Sequence, residues 1–288
     1  MLFHKIEPSW VSDFFPVWGY TLAGPKKENS MRRIVVALFL VLPLGALADS
    51  GPLFMKHLLG EREFYEPWGV GVDFYTMDQP YKIKSLQFDL PGVSIPDPSQ
   101  LVVTNDIQHF DLKLDVWLTP FLNVFGLLGH VDAETVVDLS SVPVTGLPFP
   151  LGKLPVTYDG TVYGLGFTLA YGGERWFTSL TSTWTDTSLN GDFDSSVNTF
   201  TTQPRIGLLW DKWAFWLGGL YIDTQEDHSG VIDLPILGSI PFAVELEGDS
   251  KWNTAVGAGY SFSPKAVVYL EVGFGNRDHT LFNFTYRF

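Results

Sequence analysis

Apolar and polar residues alternate one for one along most of this chain. It closes on "FNFTYRF", with Phe282, Phe284, Tyr286 and Phe288 on one parity and Asn283, Thr285 and Arg287 on the other. Alternation of this kind predicts a strand with one apolar and one polar face. The same period sets Phe110, Leu112, Leu114, Val116 and Leu118 against His109, Asp111, Lys113, Asp115 and Trp117. It returns in Leu165, Phe167, Leu169 and Tyr171, in Trp252 to Tyr260, and in Val268, Leu270, Val272 and Phe274. About ten strands are expected, near 67–77, 106–118, 121–137, 156–171, 174–187, 197–210, 213–226, 243–262, 266–276 and 279–288. A further run at 81–90 could add a hairpin and raise the count to twelve.

The connections alternate as well. Short turns at Thr119-Pro120, Gly172-Gly173, Asp211-Lys212 and Ser263-Pro264 are interleaved with longer loops near 78–105, 139–155, 189–196 and 229–242. Short turns at one end and long loops at the other are the layout of a transmembrane barrel. A soluble sandwich also alternates, but it has no reason to gather tryptophans into belts. Trp68, Trp176, Trp210 and Trp213 fall on the apolar face beside the short turns, and Trp184, Phe200, Tyr221 and Trp252 fall further along it. Trp176 and Trp184 would stand about 19 Å apart along the membrane normal, close to the separation of two aromatic girdles.

An export signal precedes the strands. "MRRIVVALFLVLPLGALADS" begins at Met31, with Arg32 and Arg33 ahead of an apolar run and Ala46-Leu47-Ala48 as a cleavage site. The run is shorter than the roughly 20 residues a spanning helix needs. The expected organisation is a spurious N-terminal extension at 1–30, a signal peptide at 31–48, a short periplasmic segment at 49–66 and the barrel at 67–288.

With this signal, the alternating strands and the terminal Phe284, Tyr286 and Phe288, the chain resembles Gram-negative outer-membrane β-barrel proteins. The resemblance implies an all-β, antiparallel up-and-down transmembrane barrel in the outer membrane, with short periplasmic turns and long extracellular loops. It also implies outer-membrane lipid and the barrel-assembly machinery as partners, the latter reading Phe284, Tyr286 and Phe288. Composition agrees: of 288 residues none is cysteine, aromatics make up 15% and charged residues 17%, and the net charge is −14. No disulfide, thiolate metal site or lipidated cysteine is available. An acidic chain with scattered cations is a poor partner for nucleic acid.

The polar faces would line the lumen, bringing in Asp73, Arg205, Glu245, Glu247, Lys251, Glu271, Arg287 and rows of glycine. Ten strands leave a narrow, charged interior rather than a diffusion pore. A tight turn at Thr119-Pro120 would set Leu118 against Phe121 and hence His109 against His130. His109, Asp111, His130, Asp132 and Glu134 would then form one lumen cluster, with His109 and His130 near enough to share a divalent ion. The plainer alternative is a polar cluster that fixes register. No cofactor is implied.

The long loops are aliphatic and rich in proline, as in "SSVPVTGLPFPLGKLPV" and "IDLPILGSIPFAV". Val142, Val144, Leu147, Phe149, Leu234, Ile236 and Ile240 are therefore candidates for contact with a small apolar solute. Packing of the loops on one another is the alternative. The reading of function is a non-enzymatic outer-membrane protein that admits or binds such a solute. A surface-contact protein with a closed lumen is the competing class. A barrel-embedded hydrolase would need a nucleophile beside His109 or His130, and Asp227-His228-Ser229-Gly230 lacks the histidine-x-serine spacing of the barrel phospholipases. N-terminal sequencing of membrane-extracted protein should read from Asp49; an intact Met1 would overturn the signal assignment.

Overall fold

The computed structural model describes residues 51–60, 64–88, 97–141, 152–190, 194–234 and 238–288. The expected extension at 1–30 and signal at 31–48 lie outside them. Among the described residues there are eleven strands: β1 (Trp68–Phe88), β2 (Val102–Thr119), β3 (Leu122–Asp138), β4 (Lys153–Gly172), β5 (Trp176–Asn190), β6 (Asp194–Trp210), β7 (Trp213–Leu234), β8 (Gly238–Gly248), β9 (Trp252–Ser263), β10 (Ala266–Phe274) and β11 (Asp278–Arg287). Every pairing is antiparallel, and β11 closes on β1. No helix among these residues is long and apolar enough to cross a membrane. The crossing is made by strands, as closure requires when no backbone group can be left unpaired in lipid.

The ring changes size along its axis. In the half nearer the short turns β1 pairs β11 over Gly69–Asp78, and β7 pairs β9 over Trp213–Tyr221. Ten strands close there. Higher up, β8 lies directly between β7 and β1, pairing Gln225–Leu234 on one side and Tyr81–Phe88 on the other. The β10–β11 hairpin ends below this point, so only eight strands close above it. Thus the run expected as one strand at 243–262 is two, broken at 249–251 where its outer neighbour changes from β10 to β1. The stretch at 81–90 forms no extra hairpin, because 81–88 continues β1.

A polar cluster fills the step between the two rings. Arg277, in the β10–β11 turn, donates to Gln79 Oε1 (2.7 Å) and to the Ser250 carbonyl (2.5 Å). Asn253 donates to the Arg277 carbonyl (2.7 Å) and accepts from the Asn276 amide (3.1 Å). Gln79, Asn253 and Arg277 are all buried. These side chains satisfy backbone groups that lose their ladder partners where the hairpin stops.

Outward faces are apolar, as the alternation requires: Phe110, Leu112, Leu128, Leu217, Leu270 and Phe282 are exposed. The upper aromatic belt is continuous across five strands. Ring centroids run Phe167–Trp184 6.0 Å, Trp184–Phe200 5.1 Å, Phe200–Tyr221 6.2 Å and Tyr221–Trp252 5.2 Å. The lower belt holds Tyr171–Trp176 at 5.8 Å, Trp213–Tyr260 at 4.8 Å and Tyr260–Phe262 at 5.0 Å. An apolar band between two girdles is the outer surface of a bilayer-spanning barrel. The chain is an outer-membrane β-barrel. Phe284, Tyr286 and Phe288 lie on this outer face, all three exposed.

Register corrects one expectation. Trp117 pairs with Asn123 but Thr119 with Leu122, so Leu118 is an extra residue bulged out of the β2–β3 ladder. His109 therefore faces Val131, while His130 faces Phe110. A one-residue slip moves every side chain of a strand to the other face. His130 and Asp132 point outward, 51% and 69% exposed, and Glu134 is exposed with them. His109 and Asp111 point inward. The five-residue cluster and the shared metal site do not form.

The loops are also shorter than the sequence suggests. β1 reaches Phe88, β2 starts at Val102, β7 runs to Leu234 and β8 starts at Gly238. Ile240 is a strand residue, 2% exposed, in place of a loop contact. Leu234 ends β7 opposite Gly238. Val142, Val144, Leu147, Phe149 and Ile236 lie outside the described residues.

Leu270 sits midway along β10 on the lipid face, 48% exposed. Leu270→Arg should cost about 2–4 kcal/mol, read as a lower urea midpoint of the barrel in bilayers. An unchanged midpoint would mean that this face does not meet lipid.

Candidate functional site in the barrel lumen

The lumen is built in layers by inward side chains. Nearest the short turns lies a charged layer. Arg205 on β6 reaches across to Glu271 on β10, donating from Nε (2.6 Å) and Nη2 (3.1 Å), and Trp216 Nε1 donates to the same carboxylate (2.6 Å). Lys113 pairs with Asp73 (3.2 Å), and Asn283 also donates to Asp73. Arg287 donates to Asp115 (2.8 Å), which also accepts from Asn123 (2.6 Å). The guanidinium of Arg287 stands 5.9 Å from the ring centroids of both Tyr65 and Trp117. The segment before β1 is tied to this end by amides of Leu53 and Phe54 donating to the carbonyls of Trp117 (3.0 Å) and Leu118 (2.8 Å). Charges are tolerated here because each is paired and hydrogen-bonded.

Not every residue expected in the lumen is there. Glu245 and Glu247 pair with Lys84 (3.3 and 3.2 Å) at exposed positions, and Lys251 pairs with Asp223 (2.9 Å) in the same way. The lumen glycines are not open space either. A Cβ at Gly257 would collide with the Trp216 indole, and one at Gly207 with the Phe177 ring. Those glycines make room for large neighbours that fill the barrel.

From this charged layer upward, in the ten-stranded part, runs a cavity of about 480 Å³, bordered at its lower end by Asp73, Lys113, Asp115, Arg205 and Arg287. One wall is apolar, with Met77, Leu220 and Ile222 in one cluster and Phe125, Leu127 and Val162 in another. The facing wall is a hydroxyl sheet from β5 and β6: Thr181, Thr183, Thr185, Thr199 and Thr201. Thr168 and Thr181 (3.0 Å) and Thr199 and Thr224 (3.1 Å) share hydrogen bonds between strands. His109 borders this cavity, with Nε2 3.1 Å from Asp111 Oδ1. Among the described residues no three His, Asp or Glu side chains converge as a metal site.

A polar partition roofs the cavity. Tyr81 donates to Glu226 Oε1 (2.6 Å), and Tyr158 bonds to Asn105 and Thr135 (both 3.2 Å). His228 Nε2 meets Glu226 Oε2 at 3.2 Å, and His228 Nδ1 meets Ser195 Oγ at 2.9 Å. Beyond it a second, apolar cavity of about 100 Å³ is bordered by Leu86, Val156, Leu189, Val244, Ser195 and His228. The eight-stranded top is then packed by Tyr81, Ile83, Leu101, Val103, Leu139 and Leu246.

The expected site residues leave out Ser195 and Glu226 and set His228 only beside Ser229, although the signal that joins the three is present. Glu226 and His228 share a strand face, and β6–β7 pairing runs from Trp210↔Trp213 to Ser195↔His228 with no slip. Counting outward from Asp211-Lys212 sets that serine opposite that histidine.

Glu271 is 1% exposed in its pair with Arg205. Glu271→Gln leaves a buried guanidinium uncompensated and should cost about 3–5 kcal/mol. A reduced urea midpoint of the refolded barrel at unchanged slope would read out that loss; no change would remove the charged layer from the stability argument.

No protein-family model matches the chain, and no curated protein matches it in sequence. Solved structures similar in shape are outer-membrane proteins. An outer membrane channel from Pseudomonas putida F1 is 13% identical, over 80% of this chain and 98% of that one, at a TM-score of 0.37. The outer membrane protease OmpT from Escherichia coli is 11% identical, over 79% and 99%, at 0.39. The toluene transporter TodX from Pseudomonas putida is 9% identical, over 82% and 93%, at 0.30. These likenesses are of barrel architecture and assign no activity.

Proposed function

We propose that this outer-membrane barrel admits and holds a small, largely apolar solute. The observation that carries the reading is the cavity of about 480 Å³ between an aliphatic wall and a threonine wall. Its volume falls within the ordinary range of small-molecule sites, which are mostly apolar with a few placed polar groups. Met77, Leu127, Leu220 and Ile222 take the apolar body by removing it from water, at about 25 cal/mol per Å² buried. The threonine hydroxyls offer donors and acceptors to a single polar substituent. The charged residues around the lower end of the cavity disfavour a continuous apolar path to the short-turn end, so release requires them to rearrange or the solute to leave sideways.

Thr183 faces the cavity. In proteoliposomes, Thr183→Trp should fill it and reduce entry of an apolar solute such as toluene by about 10-fold or more, while Thr183→Ser should keep uptake. Heat-modifiable gel migration would confirm that both variants fold. Uptake through the intact protein no faster than into empty liposomes would overturn the proposal.

A further inference from the structure

The geometry points to a second activity: Ser195, His228 and Glu226 form a nucleophile–base–acid trio that hydrolyses esters of short acyl chains. Three side chains meet in line across the β6–β7 pair. Ser195 Oγ lies 2.9 Å from His228 Nδ1, and His228 Nε2 lies 3.2 Å from Glu226 Oε2. This is the hydrogen-bond sequence of a serine nucleophile, its base and the carboxylate that orients the base. Glu226 is 3% exposed and is itself held by the Tyr81 hydroxyl at 2.6 Å. By accepting from Nε2–H it fixes the tautomer whose lone pair, on Nδ1, faces the serine. The inference does not rest on the uptake reading, because it concerns the upper cavity.

What the upper cavity accepts follows from its size. At about 100 Å³, with an almost wholly apolar lining that includes Leu86, Val156, Leu189 and Val244, it is smaller than a cavity that holds benzene. It suits a short acyl group such as acetyl or butyryl. In the step itself, Ser195 Oγ adds to the ester carbonyl carbon while its proton passes to His228 Nδ1. Collapse of the adduct breaks the carbon–oxygen bond to the alcohol, which leaves carrying that proton. Water then adds to the acyl-serine by the same relay, releasing the carboxylic acid and restoring the hydroxyl.

The test uses the full chain refolded in detergent, with heat-modifiable migration as the folding check. A fluorophosphonate probe should label it, and mass spectrometry should place the label on Ser195. The protein should cleave p-nitrophenyl acetate and butyrate faster than the palmitate ester. Ser195→Ala should abolish labelling, and His228→Gln should lower the hydrolysis rate about 100-fold or more. Ser229→Ala, on the opposite face, should leave it unchanged. Absence of label at Ser195 in the folded protein would overturn the inference, as would hydrolysis by Ser195→Ala at the native rate. The trio would then serve only to bind β6 to β7. Solute uptake by the labelled protein reads the lower cavity separately, so failure of one proposal does not imply failure of the other.

Discussion

The closure of β8 onto β1 above a short hairpin is the constraint on which the rest of this structure depends. Barrel diameter grows with strand number, and eight strands leave an interior that side chains just fill. Adding the β10–β11 hairpin to the lower half therefore widens only that half. The larger cavity lies in the ten-stranded part, and the aliphatic cluster of Tyr81, Ile83, Val103 and Leu246 fills the eight-stranded part. Arg277 and Asn253 make the transition possible, because a hairpin that ends inside a sheet would otherwise strand its turn amides and carbonyls.

That change in bore also explains where polarity is placed. The wide end admits paired charges on long side chains, such as Arg205 reaching Glu271 from β6 to β10. Large aromatics lie over glycines of neighbouring strands, with Trp216 above Gly257 and Phe177 above Gly207, and take up the remaining width. Between the two regimes the lumen carries mainly hydroxyls and aliphatic groups, with His109 and Asp111 at the border, bounded above by Tyr81, Tyr158 and Glu226. A buried polar partition of this kind is tolerated when its members satisfy one another. In this barrel, one such partition also sets a serine beside a histidine.

The aliphatic, proline-bearing stretches acquire a different meaning in the fold. "SIPFAV" suggests a hydrophobic mouth, but in the structure it is part of β8, with Ile240 buried and Val244 packed on the upper core. A strand in the narrow ring faces a packed interior, so its inward positions are apolar. In the wide ring the inward positions face a cavity and charges, so polar side chains share them with an aliphatic wall. One sequence pattern thus serves two environments, separated only by ring size.

What the sequence by itself determined was local and periodic. Alternation set which residues face lipid along most strands, though not for His130, Asp132, Glu245 or Glu247, the short turns set the antiparallel order, and the spacing of Trp176 and Trp184 set two girdles, because a strand presents every second side chain to one side. Turn-to-turn counting also sufficed where the ladder is regular, as in Ser195↔His228. It failed at His109 and His130, because one bulged residue at Leu118 reverses the faces and no pattern in Trp117-Leu118-Thr119-Pro120 announces it. Nor could alternation reveal that the run 243–262 changes partners halfway. Which strand lies next to which is a choice made by closure of the whole ring, and only the tertiary structure decides where β1 leaves β11 for β8.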